Sequence, residues 1–492
     1  MKSKIYLVFV LFIICFGIWI IGFIILGNWY TDDAFIAFCY AKNFYYGFGL
    51  VFNQGQYVQG YTNFLWIILL AGLKFLGLNF QSSAILINSI SYLILSYVIF
   101  NFLRKLFPDK SLTFYYLAVF LLLSAPNLIS WVIGGGLEGP LFMTLLAVSL
   151  YFLLFYEKKL FASIFLVITT LIRPEGFLFF ILALLYLLYF EKCKKNKLLI
   201  FILVYIIPII CYLIWAYYYY GDILPNTFYA KVSLSIGSIY EGIHYIYRYF
   251  MSAPLIFIIL SLSIFGLKRK SKIIKFIWLS VIVFSCYLVC IGGDFMFAFR
   301  FFLPILPLIC FLVIDEILHI FTLLKSLTDY RRLLYFIFIF LIFYNLLSLS
   351  YFVDYKYQVQ NYKMISGGKI LAEYLNKKYP TNYTIAASGI GALGFYSNMQ
   401  VLDLLGLTSK VVAKEGIFGH DLVYSHGKSD SQYILRQRPQ IIVFGMPPGE
   451  KFPVRFAEKE IYKSLLFHRN YIYKEIKLDS SSVAKYYLLK RQ

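Results

Sequence analysis

The chain opens with the apolar run IYLVFVLFIICFGIWIIGFIIL (residues 5–26), which leads into NWYTDD (residues 28–33). As a helix, this run is long enough to cross a bilayer core of about 30 Å. It is too long for the core of a signal peptide, and no small-residue cleavage site follows it, so we expect a retained membrane helix. Asp32 and Asp33 would then lie side by side at the membrane edge, where two carboxylates repel each other and gain nothing from lipid. Their presence asks for a functional explanation.

The composition indicates a polytopic α-helical membrane protein. Of the 492 residues, 61% are hydrophobic and 21% aromatic, and only 14% are charged. The net charge of +21 comes from bases that sit in short clusters between apolar runs. This pattern is typical of membrane topology and not of a nucleic-acid groove, so the bilayer is the expected partner. The seven cysteines show no C-x-x-C spacing, which argues against a zinc site and a disulfide framework.

Apolar runs predict about eleven membrane spans. Beyond the first, they lie at residues 83–103, 111–131, 139–156, 160–190 (a pair broken at Pro174), 198–219, 252–267, 274–291, 302–322 and 333–351. The run 64–78 is short and contains Lys74, so we interpret it as a juxtamembrane helix. With this assignment most bases before residue 352 fall in cytoplasmic loops, and the N-terminus is cytoplasmic.

The composition changes near residue 352, where long apolar runs stop and charges become frequent. Helical spacing covers residues 367–380, and short strand patterns cover residues 383–389, 400–406 and 440–445. The sequence therefore predicts a membrane domain over residues 1–351 and a small α/β domain over residues 352–492. An odd number of spans places the second domain outside the cytoplasm.

Several loops deliver ionisable groups to the predicted outer side of the membrane, and we expect them to form a candidate site. These groups are Asp32, Asp33, Glu138, Arg173, Glu175, Asp222, Asp294 and Arg300. Ionisable groups at membrane depth are costly unless they are paired or functional. Clustered metal ligands are absent from the sequence, so no metal is expected.

Each group has a functional reading and a plainer one. Asp32 or Asp33 could act as a general base on an acceptor hydroxyl, although one of them could simply cap a helix. Arg173 and Arg300 could hold a phosphate, since a guanidinium matches phosphate geometry, or they could form intramembrane ion pairs. Glu138 could bind an acceptor or only mark a turn between helices. The sequence leaves open which aspartate is the base.

The segment GIGALG (residues 389–394) matches the G-x-G-x-x-G dinucleotide fingerprint after a predicted strand. A lone match is weak, and nucleotide cofactors are scarce outside the cytoplasm. We therefore interpret these glycines as a tight turn and expect no nucleotide cofactor.

Six stretches taken together resemble a known family. They are TDDAFIAFCYAKNFYYGFGLVFNQGQYVQGYTNFLW (31–66), GGGLEGPLF (134–142), LIRPEG (171–176), LPNTFYAKV (224–232), GGDFMFAFRFFLPILPL (292–308) and GALGFYSNMQVLDLLGL (391–407). Their order resembles that of the bacterial GT-C glycosyltransferases, in particular the terminal arabinofuranosyltransferase group. The resemblance covers most of the chain and weakens over its C-terminal part.

The resemblance implies an inverting glycosyltransferase (EC 2.4) of the bacterial inner membrane and cell envelope, with its C-terminal domain in the periplasm. It would transfer an arabinofuranose-like sugar from a polyprenyl-phosphate donor to a hydroxyl of a glycan or glycolipid. Asp32 and Asp33 map onto the catalytic first loop. We expect Arg173 and Arg300 to hold the donor phosphate, with Glu138, Glu175, Asp222, Asp294 and Tyr61 in supporting or acceptor-binding roles.

Two other functional classes remain open from the sequence. A flippase or transporter for lipid-linked sugars would also be polytopic and basic, although its ionisable groups would be expected near mid-membrane together with internal repeats. A non-catalytic assembly protein could use the same scaffold.

Overall fold

The computed structural model describes residues 2–27, 29–157, 159–231, 235–323, 330–352, 355–419, 428–445, 448–477 and 483–490. Most of these residues are helical. The α-helices in chain order are α1 (Lys2–Leu26), α2 (Asp32–Tyr45), α3 (Phe64–Phe75), α4 (Phe80–Leu106), α5 (Leu112–Leu123), α6 (Pro126–Ile133), α7 (Gly139–Phe155), α8 (Leu160–Ile172), α9 (Gly176–Leu185), α10 (Lys195–Tyr220), α11 (Asn226–Lys231), α12 (Ile236–Ser252), α13 (Pro254–Phe265), α14 (Lys272–Cys290), α15 (Leu306–Leu323), α16 (Tyr330–Phe352), α17 (Tyr355–Lys378), α18 (Gly391–Tyr396), α19 (Lys410–Glu415), α20 (Ser431–Arg436), α21 (Phe456–Lys463) and α22 (Leu465–Asn470). A π-helix follows α9 at Tyr186–Phe190, and 3₁₀ helices cover Leu267–Arg269 and Phe297–Ile305.

Several of these helices are long enough to span a membrane. Within the described ranges, 5 helical stretches are long and apolar enough to cross a membrane, or up to 7 when two bent pairs are counted. The five stretches are Phe9–Leu26, Phe80–Leu106, Lys195–Tyr220, Lys272–Cys290 and Phe297–Leu323. Shorter apolar helices cover the remaining predicted runs, so the count of about eleven stays a prediction. Helix α3, at 12 residues, is too short to span, as expected of a juxtamembrane helix.

Two pairs of helices are bent, of which the first was predicted as one span and the second joins the predicted span 252–267 to the helix before it. The run 111–131 becomes α5 and α6, which meet at 65°, and α12 meets α13 at 106°. Each break precedes a proline, Pro126 or Pro254, at the first turn of the second helix. Proline lacks an N–H and disfavours a helical conformation in the residue before it. The apolar pattern alone could not show the bend between α5 and α6, because both of these helices are strongly apolar, whereas α12 is clearly more polar than α13.

Contacts divide the chain into two compact units. The helical unit comprises residues 1–28, 84–211 and 234–354, and the sheet unit comprises residues 29–83, 212–233 and 355–492. The last break in the chain, between residues 354 and 355, lies close to the predicted boundary at residue 352. The sheet unit, however, also takes in the first loop with α2 and α3. The proposed division into domains 1–351 and 352–492 stays a prediction.

In the helical unit, α7 packs on α8 and on the 3₁₀ helix Phe297–Ile305, which also contacts α6. The side chains of Trp131, Phe142 and Phe302 are fully buried there. These contacts bring the loops before α7, after α8 and after α14 around one packed centre.

The sheet unit is built on five strands, β1 (Thr384–Ala387), β2 (Gln400–Asp403), β5 (Ile441–Val443), β6 (Tyr471–Lys477) and β7 (Val483–Leu489). Their order is β2-β1-β5-β7-β6, with β1 parallel to both neighbours and β7 antiparallel to both of its own. The short strands β3 (Ile417–Phe418) and β4 (Lys428–Ser429) pair separately. A core that includes Ile442, Phe444 and Phe467 lies against the sheet. The small α/β region predicted from the sequence is therefore present.

Candidate active site

The two adjacent acids occupy the first turn of α2, in the sheet unit. Thr31 is the N-cap, and its hydroxyl oxygen accepts the backbone N–H of Ala34 at 3.3 Å. The capping role that the sequence left open for one aspartate therefore belongs to the threonine. Both carboxylates lie at the positive end of the α2 dipole, which favours their charge.

Asp32 is bound by the main chain of another segment. Its Oδ2 accepts the N–H of Gly391 at 2.9 Å and its Oδ1 accepts the N–H of Ala392 at 2.8 Å. The residue is buried, and burial raises the pKa of its carboxyl to about 6, although the two N–H groups act in the opposite direction. A carboxylate bound on both oxygens and removed from solvent is suited to holding structure together.

Gly391 is needed for this contact. A Cβ at this position would overlap the backbone carbonyl of Asp32 and press on its carboxyl carbon. The glycine of the fingerprint-like segment thus lets one backbone approach another. In the structure, Gly391 and Gly394 lie in the helix α18 and not in the tight turn that the sequence predicted, and the N–H groups of Gly391 and Ala392 bind a carboxylate of the chain itself.

Asp33 has a different environment from its neighbour. Its side chain is 28% exposed, and its Oδ2 lies 3.9 Å from Nζ of Lys231. Lys231 ends α11, which is held by the side-chain amide of Asn226 donating to the carbonyls of Gly406, Leu407 and Ser409. The pair is half-exposed, so the attraction between its charges is modest and Asp33 remains accessible.

Two other predicted residues lie in the sheet unit. Tyr61 is 4% exposed, its hydroxyl is 2.9 Å from that of Tyr220, and its ring lies edge-on against Tyr40. Asp222 pairs with Lys414 and accepts the hydroxyl of Tyr229 at 3.0 Å. Burial of Asp222 works against its ionisation, but the hydrogen bonds from Lys414 and Tyr229 hold its pKa below the usual value.

Arg173 is the centre of an ion-pair cluster in the helical unit. Its Nη1 donates to Glu138 at 2.6 Å, while Nη2 and Nε donate to Glu175 at 2.7 and 3.2 Å. All three side chains are largely buried, so each carboxylate offsets a charge that would be costly alone. Every nitrogen of Arg173 therefore already faces a carboxylate.

Arg300 is bound differently. Its Nε donates to Asp294 at 2.9 Å, and its guanidinium lies over the ring of Phe301 at 4.8 Å. Among the described residues, its two terminal nitrogens have no hydrogen-bond partner. The preceding residues Ala298 and Phe299 have φ values of 54° and 45°, a region that costs energy for residues other than glycine. Such strain, held by the surrounding packing, is frequent at functional sites.

The two arginines line a common small cavity with Glu175, Tyr287 and Phe301. The guanidinium of Arg173 also lies over Phe301, at 5.3 Å. The structure thus brings together Glu138, Arg173, Glu175, Asp294 and Arg300 in the helical unit, while the predicted residues Asp32, Asp33, Tyr61 and Asp222 belong to the sheet unit. In the described ranges no group of three or more histidine, cysteine or acidic residues is arranged to hold a metal ion.

Comparisons with known proteins address the fold. A family model described as "Domain of unknown function (DUF8728)" matches residues 352–486, and no curated protein matches the chain. ArnT from Cupriavidus metallidurans bound to undecaprenyl phosphate is similar at a TM-score of 0.56 and 11% identity, over 89% of this chain and 92% of that one. Its apo state is similar at a TM-score of 0.55 and 11% identity, over 90% and 93% of the two chains. The chain has the GT-C fold.

The GT-C fold confirms the predicted fold class, a polytopic helical membrane protein with a small C-terminal α/β region. At 11% identity the likeness shows the fold alone, so the resemblance to the GT-C glycosyltransferases and to their arabinofuranosyltransferase group stays a prediction. The roles of the individual site residues stay predictions.

Several partners of the predicted residues were missed by the sequence reasoning. The N–H groups of Gly391 and Ala392 bind Asp32, and Lys231 and Lys414 approach Asp33 and Asp222. A single lysine in a sequence gives no signal of the carboxylate with which it will pair. Backbone N–H groups leave none in any sequence, since every residue except proline carries one.

Proposed function

We propose that the protein is an inverting glycosyltransferase that moves a sugar from a polyprenyl-phosphate donor to a hydroxyl of a glycan or glycolipid. The observation that carries the proposal is the GT-C fold, shared over about nine-tenths of the chain with a structure that binds undecaprenyl phosphate. A lipid-linked phosphate is therefore the ligand that we propose for the site.

The accessible acid, Asp33, is the proposed general base. Its neighbour Asp32 is buried and held on both oxygens, whereas Asp33 keeps about a quarter of its side chain exposed. A base must come within hydrogen-bond distance of the proton that it removes, so accessibility decides between two identical side chains. Asp32 then serves as a positioning residue that fixes the first turn of α2.

Arg300 is the proposed contact for the donor phosphate. Its Nε is held by Asp294, which fixes the guanidinium plane, and its terminal nitrogens are available for a planar pair of hydrogen bonds. All nitrogens of Arg173 are engaged with Glu138 and Glu175, so we assign it to holding those carboxylates beside the same cavity. The wider prediction that both arginines bind phosphate stays a prediction.

In the proposed reaction the acceptor oxygen attacks the anomeric carbon as Asp33 takes its proton. The bond from that carbon to the phosphate oxygen breaks, and polyprenyl phosphate leaves with the electron pair, which inverts the anomeric centre. Hydrogen bonds from Arg300 stabilise the charge on the leaving phosphate. The step uses no cofactor beyond the lipid-linked donor.

The finer assignments follow the sequence resemblance. We propose an arabinofuranose-like pentose as the transferred sugar. We further propose the bacterial inner membrane as location, with the N-terminus in the cytoplasm and the C-terminal residues in the periplasm. Glu138, Glu175, Asp222, Asp294 and Tyr61 keep the supporting roles expected of them, which for buried Tyr61 means packing and not contact with sugar.

The test is transfer from synthetic polyprenyl-phosphate sugars, including the arabinofuranosyl donor, by the purified chain in detergent. Asp33→Asn should lower kcat by roughly 10²–10⁴-fold, the usual contribution of a general base. Arg300→Ala should raise the KM for the donor and weaken inhibition by undecaprenyl phosphate. Glu373→Gln, which changes an exposed acid on α17, is the matched control and should leave both constants unchanged.

Unchanged turnover in Asp33→Asn would refute the assigned base. Absence of transfer by the wild-type chain with every donor, together with movement of the lipid across a vesicle membrane, would instead identify a flippase. Absence of both activities would favour the assembly protein.

A further inference from the structure

A polar cleft in the sheet unit is lined by none of the site residues that the sequence predicted. It runs along the free edge of β2, between that strand and the loop that contains Gln56. About 280 Å³ of the cleft can be filled by water-sized molecules, close to the lower end of the range of ligand sites, roughly 300–1,000 Å³, and the cleft is open to solvent on one side. We call it the amide cleft, after the side chains of Gln56, Gln400 and Gln437 that line it.

The wall of the amide cleft is fixed by an interaction that imitates a further strand. The side chain of Asn53 accepts the N–H of Val401 and donates to its carbonyl, both at 2.9 Å. This pairing occupies the backbone groups at the centre of β2, which an exposed edge would otherwise present to another chain. What remains available at this edge is therefore the side chains and not the strand itself.

The available groups are neutral hydrogen-bonding groups. In the part of the chain that the structure describes, the hydroxyls of Thr384, Ser409 and Tyr433 and the side-chain amide of Gln437 have no hydrogen-bond partner. The amide nitrogen of Gln400 has none either, while its oxygen accepts from Gln56 at 3.3 Å. Hydroxyls and amides can donate and accept at once, which suits a ligand that does the same.

The charged groups that line the amide cleft are already engaged. Asp403 accepts the N–H groups of Leu405 and Thr408, each at 2.8 Å, and Lys410 donates to the carbonyl of Tyr220. A phosphate or a nucleotide would need available cations, and a peptide would need apolar pockets. An uncharged saccharide carries hydroxyl groups that donate and accept hydrogen bonds, and these match the neutral groups of the cleft.

We propose that the amide cleft binds an uncharged stretch of a saccharide chain, and that this chain belongs to the acceptor glycan. The assignment of this saccharide chain to the acceptor glycan rests on the proposed function. Since Asp33 belongs to the same sheet unit, a cleft in that unit can retain an extended acceptor between sugar additions. The cleft would thus set the affinity for long acceptors and not the rate of the chemical step.

The first test is direct binding of linear tetrasaccharides of arabinose, mannose or glucose to the full chain in detergent, followed by saturation-transfer NMR. We expect at least one of the three to bind. The double variant Gln400→Ala/Gln437→Ala and the single variant Tyr433→Phe should each weaken that binding, the double variant by tenfold or more. Gln54→Ala removes an exposed amide from the same loop outside the cleft and should bind as the wild type does.

These variants are expected to fold, because both glutamines are exposed and phenylalanine keeps the tyrosine ring. Unchanged melting temperatures would verify this. Absence of binding by the wild type, or equal affinities in all variants, would overturn the proposal.

The second test separates the amide cleft from the catalytic proposal. Asp33→Asn should lose transfer yet bind the tetrasaccharide with unchanged affinity. Cleft variants should keep kcat with a monosaccharide acceptor and show a raised KM only for long acceptors. Saccharide binding without any transfer would overturn the proposed function and the acceptor role while supporting the saccharide site. Transfer that is insensitive to every cleft variant would overturn the cleft alone.

Discussion

At the scale of single residues, the two adjacent aspartates show how environment divides chemically identical groups. Asp32 points to the N–H groups of Gly391 and Ala392, and Asp33 keeps part of its surface accessible beside Lys231. Neighbours on a helix are about 100° apart around its axis, so one can face a packed partner while the next does not. Two carboxylates in different surroundings can take different roles in one reaction.

The raised pKa of Asp32 predicts how stability depends on pH. The carboxyl has a pKa of about 6 in the folded chain against 3.8 as its ordinary value, so the folded state favours the neutral form. The corresponding stability is complete below about pH 4 and is lost as the pH rises through 6. Asp32→Asn is neutral at every pH. Its melting temperature minus that of the wild type should therefore increase by a few degrees between pH 5 and pH 7.

Asp222→Asn is the control for this measurement. Burial opposes ionisation of Asp222, but its hydrogen bonds lower the pKa, so its contribution disappears only in more acidic solution. The difference in melting temperature for this variant should stay flat between pH 5 and pH 7. A flat or falling difference for Asp32→Asn would contradict the assignment of Asp32 as a buried acid. Asp403, whose pKa burial also raises to about 6, is common to all three proteins and cancels.

At the scale of elements, short segments position the site more than long helices do. The turn into α18 supplies the N–H groups for Asp32, and the strained segment before Arg300 directs that side chain. The long apolar helices provide the frame from which these segments extend. Functional groups thus lie where regular structure begins or ends, as is common for sites carried on loops.

Gly391→Ala tests the contact between α18 and α2. The added methyl group overlaps the backbone of Asp32, so one of the two segments must move. Overpacking of this kind costs about 1–3 kcal/mol, and we expect a lower melting temperature together with lower turnover as Asp33 shifts. Gly72→Ala is the matched control, since a Cβ there meets nothing within 4 Å inside α3.

The control should keep its activity and be as stable as the wild type or more stable by about 0.5–1 kcal/mol, because alanine favours a helix over glycine. Equal loss in both variants would show a general intolerance of helix changes. If Gly391→Ala were as stable and as active as the wild type, the contact between α18 and α2 would not position Asp33.

At the scale of the whole molecule, the sheet unit is assembled from distant parts of the chain. Residues 29–83 and 212–233 pack with residues 355–492, although long apolar helices separate them in the sequence. The ring of Phe35 contacts those of Phe395 and Tyr396, and Lys42 donates to the carbonyl of Phe395 at 2.7 Å. The first loop therefore depends on the C-terminal residues for its order.

A chain that ends at residue 354 tests this dependence. Removing residues 355–492 takes away the N–H partners of Asp32 and uncovers Phe35, so α2 should lose most of its stabilising contacts. We expect trypsin to cut after Lys42 in the shortened protein at a rate at least tenfold higher than in the full chain. Equal cleavage rates would show that the first loop is ordered without its C-terminal partner. Cleavage after Lys192 or Lys194, in the loop before α10 of the helical unit, serves as the internal control.

The sequence predicted the frame of the molecule well because burial in a bilayer has a strong compositional signal. Apolar runs marked the helices, and the absence of such runs after residue 352 marked the α/β region. The same signal missed the bend before Pro126, since hydropathy averages over α5 and α6, which are both apolar. The ends of the apolar runs also placed Glu138, Arg173 and Arg300 in loops. The structure brings these loops together around one cavity.

What the sequence determined by itself is the class of protein, the positions of the apolar helices and the residue types from which a site could be made. Only the tertiary structure decided which aspartate is buried, which arginine keeps available nitrogens and which loops share a unit with the C-terminal residues. The physical reason is that hydropathy is a property of each residue in its local run. Burial, hydrogen bonding and ion pairing depend on partners far away in the chain, and the sequence does not say which of many possible partners will meet.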